Sequence, residues 1–182
     1  MISCKIKKLM KKNPIKIVIL FAIGLFVRLL PFRAPNLEPL MAMVMPLSRT
    51  VGRVYSFLFG FLSIALYDSL TVGFGVWTLV AGIAYGLVGL AANFYFQNRT
   101  GWKNYAKFAF VATIVFDVVT GLSMGPIFFD QPFLAAVLGQ IPFTAIHLLS
   151  NVSFAIVLSP MIERWVMKES NVLVSIPEVV RV

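Results

Sequence analysis

Charge is scarce in this chain of 182 residues. Only 13% are Asp, Glu, Lys or Arg, against about 25% in a typical soluble domain. Acids are the rarer sign, seven against sixteen Lys and Arg, and cysteine and histidine occur once each. A single cysteine, Cys4, excludes an internal disulfide and any cysteine-held metal cluster. One histidine, far from that cysteine, leaves no Cys–His nucleophile pair. A Ser–His pair would need Ser150 or Ser153, which share a segment with His147. There is no Gly-x-Ser-x-Gly elbow, no His-Glu-x-x-His pair and no phosphate-binding loop. Asp68, Asp117 and Asp130 fall in three separate segments, without the tight carboxylate spacing of a magnesium-dependent lipid transferase. The reading is a non-enzyme with no catalytic residues, no metal and no cofactor. If it takes part in energy-driven uptake, a separate subunit must bind the ATP.

What the chain has in abundance is apolar sequence: 59% hydrophobic residues and a mean hydropathy of +0.89. Its charges stand in short stretches between apolar runs: 5–12, 28–38, 49–53, Asp68, 99–107, Asp130 and 164–168. Basic and non-basic stretches alternate along the chain. Six crossings of a bilayer, with basic loops and both termini in the cytoplasm, would leave that pattern. The expected class is an all-α integral membrane protein with six transmembrane helices, multi-pass in a bacterial or archaeal plasma membrane. The net charge of +9 does not point to nucleic acid. Six lysines crowd the first sixteen residues and most of the remaining excess lies in loops, a placement that suits anionic membrane lipid.

Residues 1–13 read as a basic cytoplasmic lead, 14–168 as the membrane domain and 169–182 as a cytoplasmic tail too polar and short to span. Helices are expected near 14–30, 39–48, 54–67, 77–97, 105–124 and 142–166. No small-x-small cleavage site follows Leu30, so the first apolar run reads as a retained helix and not a removed signal. Pro39 suits a first helical position, with Asn36 or Glu38 as cap. The second and third helices are shorter than the ~20 residues a crossing needs. They are either two short helices packed inside the protein or one broken segment, and the charge alternation favours two. Residues 125–141, with Pro126 and Pro132, are expected to return to the outside, with room for a short helix at 132–139. Arg28 and Arg33 stand against the charge pattern on an outer loop. Arg28 is expected to snorkel to the headgroups, and Arg33 to face a ligand or pair with an acidic loop residue.

Ionisable side chains at membrane depth cost roughly 2.5–3.5 kcal/mol on insertion scales, so each implies a partner or a function. Asp117 in the fifth helix and His147 in the sixth both fall toward the outer side. Asn151 follows His147 by four residues and so shares its face. Gln140 stands at the mouth. Either these line an outward-opening polar pocket between helices four, five and six, or they are polar glue between helices five and six. Asn93 falls toward the inner side and reads as an interhelical hydrogen bond. Trp77, at the outer end of helix four, is either a belt residue or a stacking surface.

The stretch from Asn36 to Ala92 resembles the substrate-binding S components of energy-coupling factor (ECF) vitamin transporters. Its carriers are Asn36-Leu37-Glu38-Pro39, Gly52 and Gly60, Asp68 with Gly73-x-Gly75-x-Trp77, and the run Gly82, Gly86, Gly89. The resemblance implies a small membrane protein that binds a vitamin or related micronutrient from outside. It would then work with a transmembrane T component and ATPase subunits. It places the site at the outer loops 31–38, 68–76 and 125–141 and at the outer helix ends. The expected substrate-binding residues are Asn36, Glu38, Asp68, Trp77, Asp117, His147 and Asn151, with Phe residues near 128–133 stacking on a ring. One departure concerns docking. Many members carry Ala-x-x-x-Ala on the first helix, whereas here the match is Ala22-Ile23-Gly24-Leu25-Phe26. Two rivals remain: a structural scaffold resembling a cell-shape factor, and a small intramembrane lipid enzyme.

Overall fold

Apolar runs punctuated by Gly and Pro become six helices and no strand among the described residues. A computed structural model describes residues 14–32 and 36–172, except for the side chains of 167–172. Cys4, Arg33, the basic lead and residues 173–182 lie outside the described residues. Helix α1 spans Pro14–Leu29 and starts on a proline, whose missing N–H is no loss in a first turn. Helix α2 spans Leu40–Val51 and α3 spans Arg53–Leu70. A single residue, Gly52, separates them at φ 82°, a left-handed conformation that favours glycine. Residues 39–67 are therefore two helices, each longer than the sequence suggested.

Helix α4 spans Val76–Tyr95, α5 Trp102–Phe128 and α6 Phe133–Val172. The loop expected over 125–141 shrinks to four residues, 129–132. Helix α5 runs through Pro126, and α6 runs through Pro142 and Pro160. Proline is tolerated inside apolar helices when neighbouring groups satisfy the freed carbonyls. Phe129 N and Gln131 N both donate to Gly125 O at 3.1 Å and close the end of α5. Neither Asn36 nor Glu38 caps α2, which has no side-chain cap. The Pro39 carbonyl accepts from Met43 N at 3.1 Å instead.

Among the described residues three segments are long and apolar enough to cross a membrane: Val76–Tyr95, Trp102–Phe128 and Phe133–Val166. Helix α2 is not. Twelve residues rise about 18 Å, well short of the ~30 Å hydrocarbon layer. It lies inside the protein, with eleven of its twelve residues buried. It packs most on α6 and also touches α1, α3, α4 and α5. The other large pairings are the α3–α4 and α5–α6 hairpins.

Glycine sets the α3–α4 contact. A Cβ on Gly60 would sit 2.4 Å from the Tyr85 carbonyl oxygen, and one on Gly89 would sit 2.2 Å from that of Ser56. Only glycine permits such an approach of two backbones. Three buried hydroxyls bond within their own helices: Ser48 donates to Met45 O, Ser63 to Phe59 O and Thr120 to Phe116 O.

Candidate functional site

The α5–α6 hairpin carries its polar residues as rungs. Asp117 Oδ1 lies 2.7 Å from His147 Nδ1, and Asn151 Nδ2 donates to Thr113 Oγ1 at 2.9 Å. Each rung is one step of four residues along both helices, the repeat that keeps one face pointing at its neighbour. The next step brings Ala109 and Ala155 to corresponding positions, and both are fully buried. The seam thus passes from small, to neutral polar, to ionisable. Asp117 is fully buried and His147 is 3% exposed. The imidazole stands edge-on to two rings, Phe116 at 6.0 Å and Phe143 at 5.8 Å.

The seam is not saturated. Asp117 Oδ2, Asn151 Oδ1 and Ser150 Oγ are buried with no hydrogen-bond partner. Each such group removed from water costs several kcal/mol in hydrocarbon. Two of the three are pure acceptors, so a donor-bearing partner is what the seam still accommodates.

A second group lies at the N-terminal end of α2. Glu38 Oε2 is 3.1 Å from Arg28 Nε, an ionic contact without hydrogen-bond alignment, and Glu38 Oε1 is 3.5 Å from the Tyr85 hydroxyl. The Arg28 guanidinium lies 4.3 Å over the Tyr67 ring, and its Nε and Nη1 are buried without hydrogen-bond partners. Arg28 is therefore engaged inside the protein and does not snorkel. The Tyr85 ring meets Phe116 at 4.9 Å. One chain of contacts thus runs from Arg28 through Glu38, Tyr85 and Phe116 to His147 and Asp117, joining α1, α4, α5 and α6 beside α2.

Comparison with known proteins returns no match. No family model, no curated protein and no solved structure corresponds to this chain.

Of the residues expected to form the site, the structure joins Asp117 to His147 and ties Glu38 to them through Tyr85 and Phe116. Asn151 stands one rung away, paired with Thr113 instead of with His147. Asn36 is half-buried in a left-handed turn (φ 61°) that leads into Glu38. Asp68 is buried in the last turn of α3, where its carbonyl accepts from Thr71 N and Gly73 N, and its Oδ2 has no hydrogen-bond partner. Trp77 is 44% exposed at the start of α4, away from these contacts. Gln140 donates to Thr144 Oγ1 at 3.1 Å and lines an open crevice of about 380 Å³ with Leu122 and Leu148. Phe128, Phe129 and Phe133 are exposed. Among the described residues no three His, Cys, Asp or Glu side chains gather as a metal site.

Sequence reasoning missed Tyr85 and Thr113. Both sit four or fewer residues from polar or glycine positions already singled out, yet neither is ionised at neutral pH, so neither breaks an apolar segment visibly. Asn93 bonds between helices as expected, donating to the Ser48 carbonyl. At the same end of α2, Arg49 pairs with Glu163 of α6.

Proposed function

We propose that this chain is the membrane-embedded binding subunit of an uptake system for a small ring-bearing solute, a vitamin or related micronutrient. Its six helices carry the chain back and forth with both termini inside, α2 making its short passage within the protein rather than through lipid, and it meets the solute from the outer face. A separate T component and ATPase subunits supply the energy, because the sequence has no nucleotide-binding motif. The chain itself is not an enzyme.

The observation that carries this reading is the unsatisfied seam. Asp117, Ser150 and Asn151 present three buried polar atoms without hydrogen-bond partners on one short stretch of the α5–α6 seam, beside the rings of Phe116 and Phe143. Binding sites for small molecules have this composition: mostly apolar walls with a few placed polar groups. The resemblance of residues 36–92 to ECF S components supports the same reading. Arg28 and Glu38 would orient polar groups at one end of the ligand and Asp117 with Asn151 at the other, with Tyr85 and Phe116 against its ring.

The scaffold reading draws on one observation as well. Asp117–His147 and Thr113–Asn151 already pair across the helices, as interhelical glue would. The two readings separate on the purified protein. Mass spectrometry of the chain isolated alone in mild detergent is expected to find a stoichiometric vitamin-like compound. Finding only lipid, across several growth media, would favour the scaffold. With the compound in hand, Asp117→Ala is expected to weaken its binding by about tenfold or more, the loss of one charge-assisted hydrogen bond. Unchanged affinity would remove Asp117 from the site.

A further inference from the structure

The α4–α5 seam is much thinner than either flanking hairpin. Its helices face each other through small side chains, Ala84 and Ala91 on α4 and Ala112 on α5, and a groove of about 290 Å³ opens between them. Every residue lining it is apolar, and Leu87, Val111 and Val115 on its rim are exposed. Both helices are among those able to span a membrane, so the groove faces hydrocarbon. From Phe108 to Val119 it follows α5 for about 16 Å, half the thickness of the ~30 Å apolar layer. The groove thus has the length of one lipid leaflet.

One end of the groove is strongly basic. On α5, Lys107 stands one turn from Val111 toward this end, and Lys103 a further turn on, its ammonium 5.6 Å over the Trp102 ring. On α4, Phe94 and Tyr95 follow Ala91 by three and four residues, and each carries a guanidinium on its face: Arg53 over Phe94 at 4.3 Å and Arg99 over Tyr95 at 4.4 Å. Stacking holds each arginine in place and leaves its N–H edge free for a phosphate. No acid occurs between Asp68 and Asp117 in the sequence. None of these four cations pairs with a carboxylate among the described residues.

We propose that the α4–α5 groove is a binding site for one anionic phospholipid. An acyl chain lies against Ala84, Val88 and Ala91, and the headgroup phosphate sits among Arg53, Arg99, Lys103 and Lys107. The positive-inside bias places this end in the cytoplasm, where anionic lipid is concentrated. Charge complementarity selects this occupant over a zwitterionic lipid. The uniform absence of polar atoms along the groove selects a hydrocarbon chain over a polar solute. The site is independent of the α5–α6 polar seam and of what that seam binds.

The test is native mass spectrometry of the full chain released from nanodiscs of equal phosphatidylglycerol and phosphatidylcholine. The wild type is expected to retain one phosphatidylglycerol per chain, preferred over phosphatidylcholine by about fivefold or more, the worth of one or two basic contacts. R99Q/K103Q/K107Q is expected to lose the preference. Because removing three loop cations also bears on insertion, a second variant leaves the charges intact. A91F/V115F fills the groove from its lipid-facing side and is expected to cut retained phosphatidylglycerol about fivefold. Equal retention of the two lipids by the wild type would overturn the proposal, as would undiminished phosphatidylglycerol in A91F/V115F. So would a groove occupied by another protein's helix, seen as cross-linking through residue 91 in place of bound lipid.

Discussion

At the scale of single residues, Asp117 and His147 form a buried ionisable pair 2.7 Å apart. A buried carboxylate that loses its partner is left uncompensated, which costs about 3–5 kcal/mol in soluble cores. Removing both partners costs much less than the sum of the two. His147→Ala is therefore expected to lower the unfolding midpoint in detergent sharply, and D117A/H147A to recover part of that loss. A double variant that simply adds the two single effects would show that the pair is not coupled. Arg28 and Glu38 invite the same cycle. Both pairs were half legible in the sequence. An ionisable residue in an apolar run advertises itself, so Asp117, His147, Arg28 and Glu38 stood out. Thr113 and Tyr85 did not, because a partner across a helix pair has no fixed sequence spacing. Thr113 sits thirty-eight residues from Asn151, and Tyr85 forty-seven from Glu38. His147 and Asn151, four residues apart on one face, take their partners from successive turns of α5.

At the scale of helices, glycine and proline decide the outcome in opposite ways. The Gly82, Gly86 and Gly89 run correctly signalled a close helix contact, but the surface it meets, Ser56 to Phe61 of α3, carries no matching signal beyond Gly60. Gly60→Ala and Gly89→Ala are each expected to lower thermal stability strongly, because the added methyl collides with backbone that cannot yield. Gly86→Ala meets only the ring of Phe57, which can swing away, and is expected to cost less. Gly139→Ala meets nothing within 4 Å and should be neutral, or stabilising by up to about 1 kcal/mol through helix propensity. An equal loss from Gly89→Ala and Gly139→Ala would refute the close-approach account. Proline misled in the other direction. Pro126 and Pro132 read as punctuation of a loop over 125–141, whereas α5 runs through Pro126 and only residues 129–132 separate it from α6. In an apolar environment the alternative to helix is unsatisfied backbone, so the helix survives its prolines.

At the scale of the whole molecule, the charge pattern predicts topology, and the single cysteine offers a reporter for it. A membrane-impermeant maleimide is expected to label Cys4 only after the membrane is opened, and Asp130→Cys in a Cys4→Ser background to label in intact cells. Cys4 labelled from outside would invert the proposed orientation. The number of helices was legible because charged stretches recur between the apolar runs. The role of α2 was not, since its apolar sequence looks like a short crossing and its burial depends on surfaces contributed by every other helix. That dependence has a consequence for synthesis. The Ser159 hydroxyl bonds the Ala42 carbonyl at 3.0 Å across 117 residues of chain, so the ribosome finishes α2 long before the helix that covers it exists. Too short to settle alone across a bilayer, α2 must wait at the translocon or the headgroup region until α5 and α6 arrive. Chains arrested before residue 133 are expected to leave α2 open to protease, and completed chains to protect it. Quality control in the cell would then read the whole protein through its shortest helix.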